Sequence, residues 1–152
     1  MIKLLDFDML KKLPIFERAL VIATICHAGV KDRGKLPYIL HPINVMIGLE
    51  TQDERIVGIL HDVIEDTGLT FADLRRLGFP EYIIEALDSV THREDEGYME
   101  YVKRAKANPI GRNVKKKDLV HNSDITRIKN PKPKDYERLE KYKKAYDYLC
   151  EE

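Results

Sequence analysis

The sequence predicts an all-α protein, a single helical bundle, on three observations. Apolar residues recur at three- and four-residue spacing, the period of one helix face. Glycines and prolines fall where those stripes end. No stretch alternates apolar and polar residues as a half-buried strand would.

The elements follow in order. Phe16, Ala19, Leu20 and Ala23, with Ile22 or Cys26, make one stripe and predict a buried helix over 14–29 ending at Gly29. Pro42 suits the first turn of a helix running to Glu50. Asp53 is placed to cap the next, to Asp66, with Gly68 as its stop. Thr70 and Asp73 read as a capping box for a short helix ending at Gly78. Pro80 opens a helix through Val90, and Tyr98 to Ala107 forms another. After Asn108-Pro109 a helix is predicted over 112–128. Asn130-Pro131-Lys132-Pro133 breaks the chain, and Tyr136 to Leu149 closes the fold. No repeat, linker or low-complexity segment intervenes, so 1–152 reads as one domain.

Composition narrows the function classes. Of 152 residues, 43% are hydrophobic and 34% charged, which suits a soluble globular chain and not a disordered one. Lys plus Arg equals Asp plus Glu at 26 each, so nothing favours nucleic acid or an anionic membrane, and an anionic ligand needs a local basic cluster. Cys26 and Cys150 form no CxxC pair and read as free thiols of a reducing compartment. The early apolar run Ala19 to Cys26 is too short to span a bilayer, and the expected location is the cytoplasm.

The chemistry concentrates in Ile59-Leu60-His61-Asp62-Val63-Ile64-Glu65-Asp66. Carboxylates near a helix C-terminus oppose the macrodipole and repel one another at i, i+4. On a helix, Glu65 stacks over His61 and Asp66 over Asp62, so a cation between these groups would relieve the repulsion. His41, in Pro37-Tyr38-Ile39-Leu40-His41-Pro42, is held at a defined point and suits either a ligand or a packed, capping histidine. Asp118 follows three lysines, with Asn122 one turn further along the same face, and suits either a site carboxylate or an exposed charge partner.

Together these segments resemble the HD-domain superfamily of metal-dependent phosphohydrolases, above all the hydrolase domain of the RelA/SpoT alarmone enzymes and their small stand-alone relatives. The matching segments are His27-Ala28-Gly29, Pro37 to Pro42, Leu60 to Thr67, Val90-Thr91 and Val114 to Asn122, in register over roughly 14–129. The resemblance implies that His41, His61, Asp62 and Asp118 bind one divalent metal, Mn²⁺ first, with Fe²⁺ or Zn²⁺ as other candidates. It implies that Glu65 and Asp66 position and deprotonate the attacking water, and that Asn122 contacts the nucleotide. Lys31, Arg33 and Lys35 form a basic loop suited to phosphates, and Tyr146 is a candidate to stack on a base. Other histidines are expected in supporting places: His27 orienting His41 or capping its helix, His92 and His121 at the surface or behind the ligands.

The implied activity is hydrolysis of a small phosphorylated nucleotide, with guanosine-3′,5′-bis(diphosphate) 3′-pyrophosphohydrolase as the leading case. A phosphatase or nucleotidase acting on another small phosphorylated substrate, and a non-catalytic nucleotide-sensing module, are the alternatives. Two departures bear on the substrate. Val30, Asp32 and Arg33 stand where the family usually has Gln, Arg and Lys, and Ser123-Asp124-Ile125 replaces Met-Arg-Thr.

Overall fold

The computed structural model describes residues 2–152, and no strand occurs among them. Its helices are α1 (Phe7–Lys11), α2 (Ile15–Cys26), α3 (Leu40–Ile47), α4 (Gln52–Leu60), α5 (Val63–Asp66), α6 (Phe71–Arg76), α7 (Glu81–Ser89), α8 (Tyr98–Ala107), α9 (Pro109–Asn122) and α10 (Pro133–Cys150). Short 3-10 turns cover Ile2–Leu4 and Ile125–Arg127.

Helix α4 is the axis of the core. Ile56, Val57, Gly58, Ile59 and Leu60 are all buried, so the second half of this helix is apolar on every side, and α2, α3, α7 and α9 pack around α4. Each fully buried Leu or Ile here contributes about 1.5–3 kcal/mol of transfer free energy. Helix α10 lies outside, against α8 and α9, over a smaller cluster of Val102, Leu119, Ala145 and Leu149. Arg18 of α2 donates to the carbonyls of Leu10, Lys11, Leu13 and Leu77, which ties the ends of α1 and α6 to the core.

Several boundaries differ from those predicted. The first helical turn of α3 already contains His41, ahead of Pro42. Thr51, not Asp53, caps α4, through a capping box with Glu54. The predicted continuous helix to Asp66 breaks at His61-Asp62, where α4 ends and the single turn of α5 begins, and Thr67 rather than Gly68 follows it. The predicted 112–128 helix starts earlier, because Pro109 occupies its first turn and the Asn108 side chain caps it, and it ends at Asn122. The Thr70–Asp73 capping box and the span Tyr98–Ala107 occur as predicted. Helix α1, capped by Asp6, lies in a segment to which no helix was assigned from sequence.

Gly111 is where α9 crosses the end of α7. A Cβ there would lie 2.0 Å from Ser89 Oγ and 3.4 Å from the Ala105 carbonyl oxygen. Gly111→Ala is therefore expected to cost about 1–3 kcal/mol, read as a lower urea midpoint with an unchanged m-value.

Candidate metal and phosphate site

Three separate stretches of chain bring four side chains to one point. Helix α3 presents His41, the α4–α5 junction presents His61 and Asp62, and α9 presents Asp118. One donor atom from each of His41, His61 and Asp62 lies within 4.8 Å of the others. Asp118 Oδ1 closes the remaining side, 3.1 Å from His41 Nε2 and 3.5 Å from His61 Nε2. Asp62 Oδ2 lies 3.0 Å from His61 Nε2 and 3.5 Å from His41 Nε2.

Each of these groups is held from behind. His61 Nδ1 donates to the Gly58 carbonyl at 2.7 Å, which leaves Nε2 as the lone-pair nitrogen. Tyr38 donates its hydroxyl proton to Asp62 Oδ2 at 2.6 Å. Lys115 Nζ donates to Asp118 Oδ2 at 2.7 Å, and Asn122 Nδ2 to Asp118 Oδ1 at 2.8 Å.

Electrostatics follow from the crowding. Burial pulls the His61 imidazole down, but the Asp62 and Asp118 carboxylates outweigh it and hold it well above its ordinary value. Burial raises Asp62, yet the His61 imidazole brings it down to about 2. Asp118 is likewise opposed by burial and held far below its usual range by the Lys115 ammonium. Burial and the Asp62 charge push the Tyr38 phenol far up, so it remains a donor.

The donor set fits a divalent cation. It offers two imidazole nitrogens and two carboxylate oxygens, a mixture suited to Mn²⁺, Fe²⁺ or Zn²⁺. His61 Nε2 is also buried with no hydrogen-bond partner, in spite of its closeness to Asp62. A buried imidazole nitrogen that faces two carboxylates without a hydrogen bond is placed where a shared cation would satisfy all three groups.

Glu65 and Asp66 stand at the exposed edge of this cluster. The His92 backbone N–H donates to Glu65 Oε1, which fastens α5 to the segment after α7. Arg104 secures that segment in turn, donating to Glu96 and to the carbonyls of Asp88 and Thr91. Desolvation raises both Glu65 and Asp66, and the Asp62 charge adds to it, although the His92 contact partly opposes the shift at Glu65.

A cavity of about 480 Å³ opens beside the cluster, reaching His41, Tyr38, Asp66 and Asn122. Val30, Ile125, Ile128, Leu139 and Tyr142 supply apolar wall, and Lys31 and Arg33 line it as well. The loop carrying them is shaped by the isolated bridge between Lys31 and Pro37. Lys35 turns through a left-handed conformation (φ 64°) and does not line the cavity. Tyr146 lies in a separate groove with Glu50, Lys116 and Val120, whereas Tyr142, one turn earlier, faces the cavity. Asn122 reaches the cavity while its amide supports Asp118.

The walls are charge-balanced. Lys31, Arg33, Arg127 and Arg138 face Asp32, Asp66, Asp124 and Asp135. Arg33 pairs with Asp135 at 2.8 Å, and Arg127 with Asp32 at 3.4 Å. Gly34 allows the loop to close onto that arginine, since a Cβ would meet the Arg127 carbonyl oxygen at 2.6 Å.

Sequence reasoning missed two supporting residues, Tyr38 and Lys115, although both sat inside quoted motifs. His121, expected at the surface or behind the ligands, shares the helix face of Asp118 and lies against His41. His27 caps the end of α2 through its backbone, and its ring packs on Tyr38 at 5.0 Å instead of on His41.

The chain is similar to several known proteins over part of their length. No family model matches the chain. A guanosine-3′,5′-bis(diphosphate) 3′-pyrophosphohydrolase of Borreliella burgdorferi is 36% identical over 92 residues, covering 58% of this chain and 14% of that protein. The bifunctional (p)ppGpp synthase/hydrolase SpoT of Escherichia coli is 32% identical over 88 residues, 55% of this chain and 12% of that protein. A GTP pyrophosphokinase of Streptomyces coelicolor is 36% identical over 80 residues, 49% of this chain and 9% of its own length. The matched regions thus span 14% or less of these three relatives. A solved structure described as a metazoan ortholog of SpoT that hydrolyzes ppGpp shares the fold. It superposes with a TM-score of 0.74 at 20% identity, over 91% of this chain and 86% of that one.

Proposed function

From its RelA/SpoT-like HD fold and motifs, we infer that the chain is a divalent-metal-dependent phosphohydrolase whose substrate is guanosine-3′,5′-bis(diphosphate). The observation that carries this reading is the convergence of His41, His61, Asp62 and Asp118 from three distant stretches beside a cavity that contains basic side chains. These four residues would hold the cation, with Mn²⁺ as the first candidate. When bound, the cation supplies Lewis acidity toward a phosphoryl oxygen and lowers the pKa of water.

The chain's own residues do the rest. Glu65 and Asp66 accept the proton of the attacking water, and their raised affinity for protons makes them better bases than ordinary carboxylates. The water oxygen bonds to phosphorus, the bond from phosphorus to the ribose 3′-oxygen breaks, and pyrophosphate departs as the carboxylate returns the proton to that oxygen. Lys31 and Arg33 bind phosphate, and Tyr142 with Ile125, Ile128 and Leu139 offers an apolar surface to the nucleoside. No helix among the described residues is long and apolar enough to cross a membrane.

The charge-balanced wall favours a second reading, in which the same machinery acts on a less highly charged phosphate. Asp32 and Asp124 stand where the family usually places basic residues, and Asp32 engages Arg127.

Pyrophosphate release from guanosine tetraphosphate by the Mn²⁺-loaded protein tests the first reading. Glu65→Gln is expected to lower turnover by roughly 10²–10⁴-fold while Mn²⁺ affinity stays at the wild-type value. Phosphate release from a nucleoside monophosphate, with none from the tetraphosphate, would select the second. Absence of turnover on either, with metal bound, would leave the sensing module.

A further inference from the structure

We propose that His121 is a positioning residue that locks His41 in the tautomer able to bind metal. The inference rests on the reading of His41 as a ligand. His41 Nδ1 and His121 Nδ1 lie 2.7 Å apart, a hydrogen-bond distance between two ring nitrogens. The rings are nearly parallel, at 16° with centroids 5.0 Å apart. On the opposite side of the same imidazole, His41 Nε2 faces Asp118 Oδ1 and Asp62 Oδ2.

Two facing nitrogens share one proton between them. A ligand nitrogen must present a lone pair, so with Nε2 directed at the cation His41 carries its proton on Nδ1 and donates it. His121 must then accept at Nδ1 and keep its own proton on Nε2. The reverse arrangement, His121 donating, would move the His41 proton to Nε2 and point an N–H at the metal position. The choice of tautomer at His121 thus decides whether His41 can ligate.

His61 is held differently. Its Nδ1 faces the Gly58 carbonyl, which can only accept, so the backbone alone fixes that tautomer. His41 has no such carbonyl at Nδ1 and relies on a side chain from another helix. That helix is α9, which also supplies Asp118, three residues before His121. A carboxylate donor and the partner of an imidazole donor therefore travel on one rigid element, and α3 and α9 are aligned by the contact between the two histidines.

The test measures metal binding and protonation directly, apart from turnover. Mn²⁺ and Zn²⁺ dissociation constants are determined for the wild type, His121→Phe and His121→Asn, with folding checked by circular dichroism. Long-range ¹⁵N–¹H correlations report which His41 nitrogen carries the proton in the Zn²⁺-loaded protein, where the Asp118 and Asp62 carboxylates no longer compete for a proton at Nε2. Protonation of wild-type His41 at Nδ1 is the expected result, together with about 10- to 100-fold weaker binding in His121→Phe. His121→Asn, whose amide oxygen accepts a proton, is expected to recover part of that loss.

A wild-type His41 protonated at Nε2 would overturn the proposal. So would unchanged metal affinity in His121→Phe, or equal losses in both variants, which would assign His121 to packing. A wild type that binds neither ion sinks the metal reading itself, an outcome distinct from failure of the lock.

Discussion

Asp62→Ala is expected to lose bound Mn²⁺ and, with it, turnover by at least about a thousand-fold, since a bound cation supplies several kcal/mol of charge stabilisation. Asp62 Oδ2 lies within 3.0–3.5 Å of both histidine nitrogens, so its removal opens one whole side of the cluster. The fold should survive. Asp62 is a junction residue between α4 and α5, and the main structural loss is the acceptor of the Tyr38 hydroxyl, worth about 1–3 kcal/mol. Metal content by elemental analysis and a thermal melt on the same sample check both halves. Retained metal with lost activity would reassign Asp62 from holding the ion to the chemistry.

Lys115→Met should produce the largest loss of stability among the site residues, about 3–5 kcal/mol. Lys115 is buried, its ammonium caps Asp118 Oδ2 at 2.7 Å, and it lies 4.7 Å from the centre of the Tyr101 ring. The attraction of Asp118 outweighs the burial that would otherwise discharge it, so it stays protonated. Methionine fills much the same volume but leaves a buried carboxylate oxygen without a partner. Added Mn²⁺ should restore part of the loss, because a cation compensates the same carboxylate. Urea unfolding with and without the metal measures this, and a variant as stable as the wild type would show that Lys115 is not the counter-charge of Asp118.

The residues that converge were legible in the sequence to different degrees, for physical reasons. His61 and Asp62 announced themselves because charged groups inside Ile, Leu and Val require a partner. His41 and Asp118 were ambiguous alone, and only the order of several motifs joined them. The break between α4 and α5 carries no proline or glycine, so local propensity could not mark it. Lys115 was lost among three consecutive lysines, where helix phase alone decides which one turns inward. Tyr142 and Tyr146 share a face by phase but sit about 6 Å apart along the axis, which is enough to separate two pockets. The contact between His41 and His121 joins positions 80 residues apart, beyond any local pattern.

A cation shared by His41 and Asp118 would fasten together positions 77 residues apart in the chain. It would act as a reversible clasp across α3, the α4–α5 junction and α9, none of which holds a complete donor set by itself. Binding of this kind is also folding energy: at a metal concentration a hundred times the dissociation constant, the native state gains about 2.7 kcal/mol. The thermal midpoint of the protein then becomes a gauge of metal supply, and scarcity of the ion would shorten the lifetime of the molecule as well as silence it.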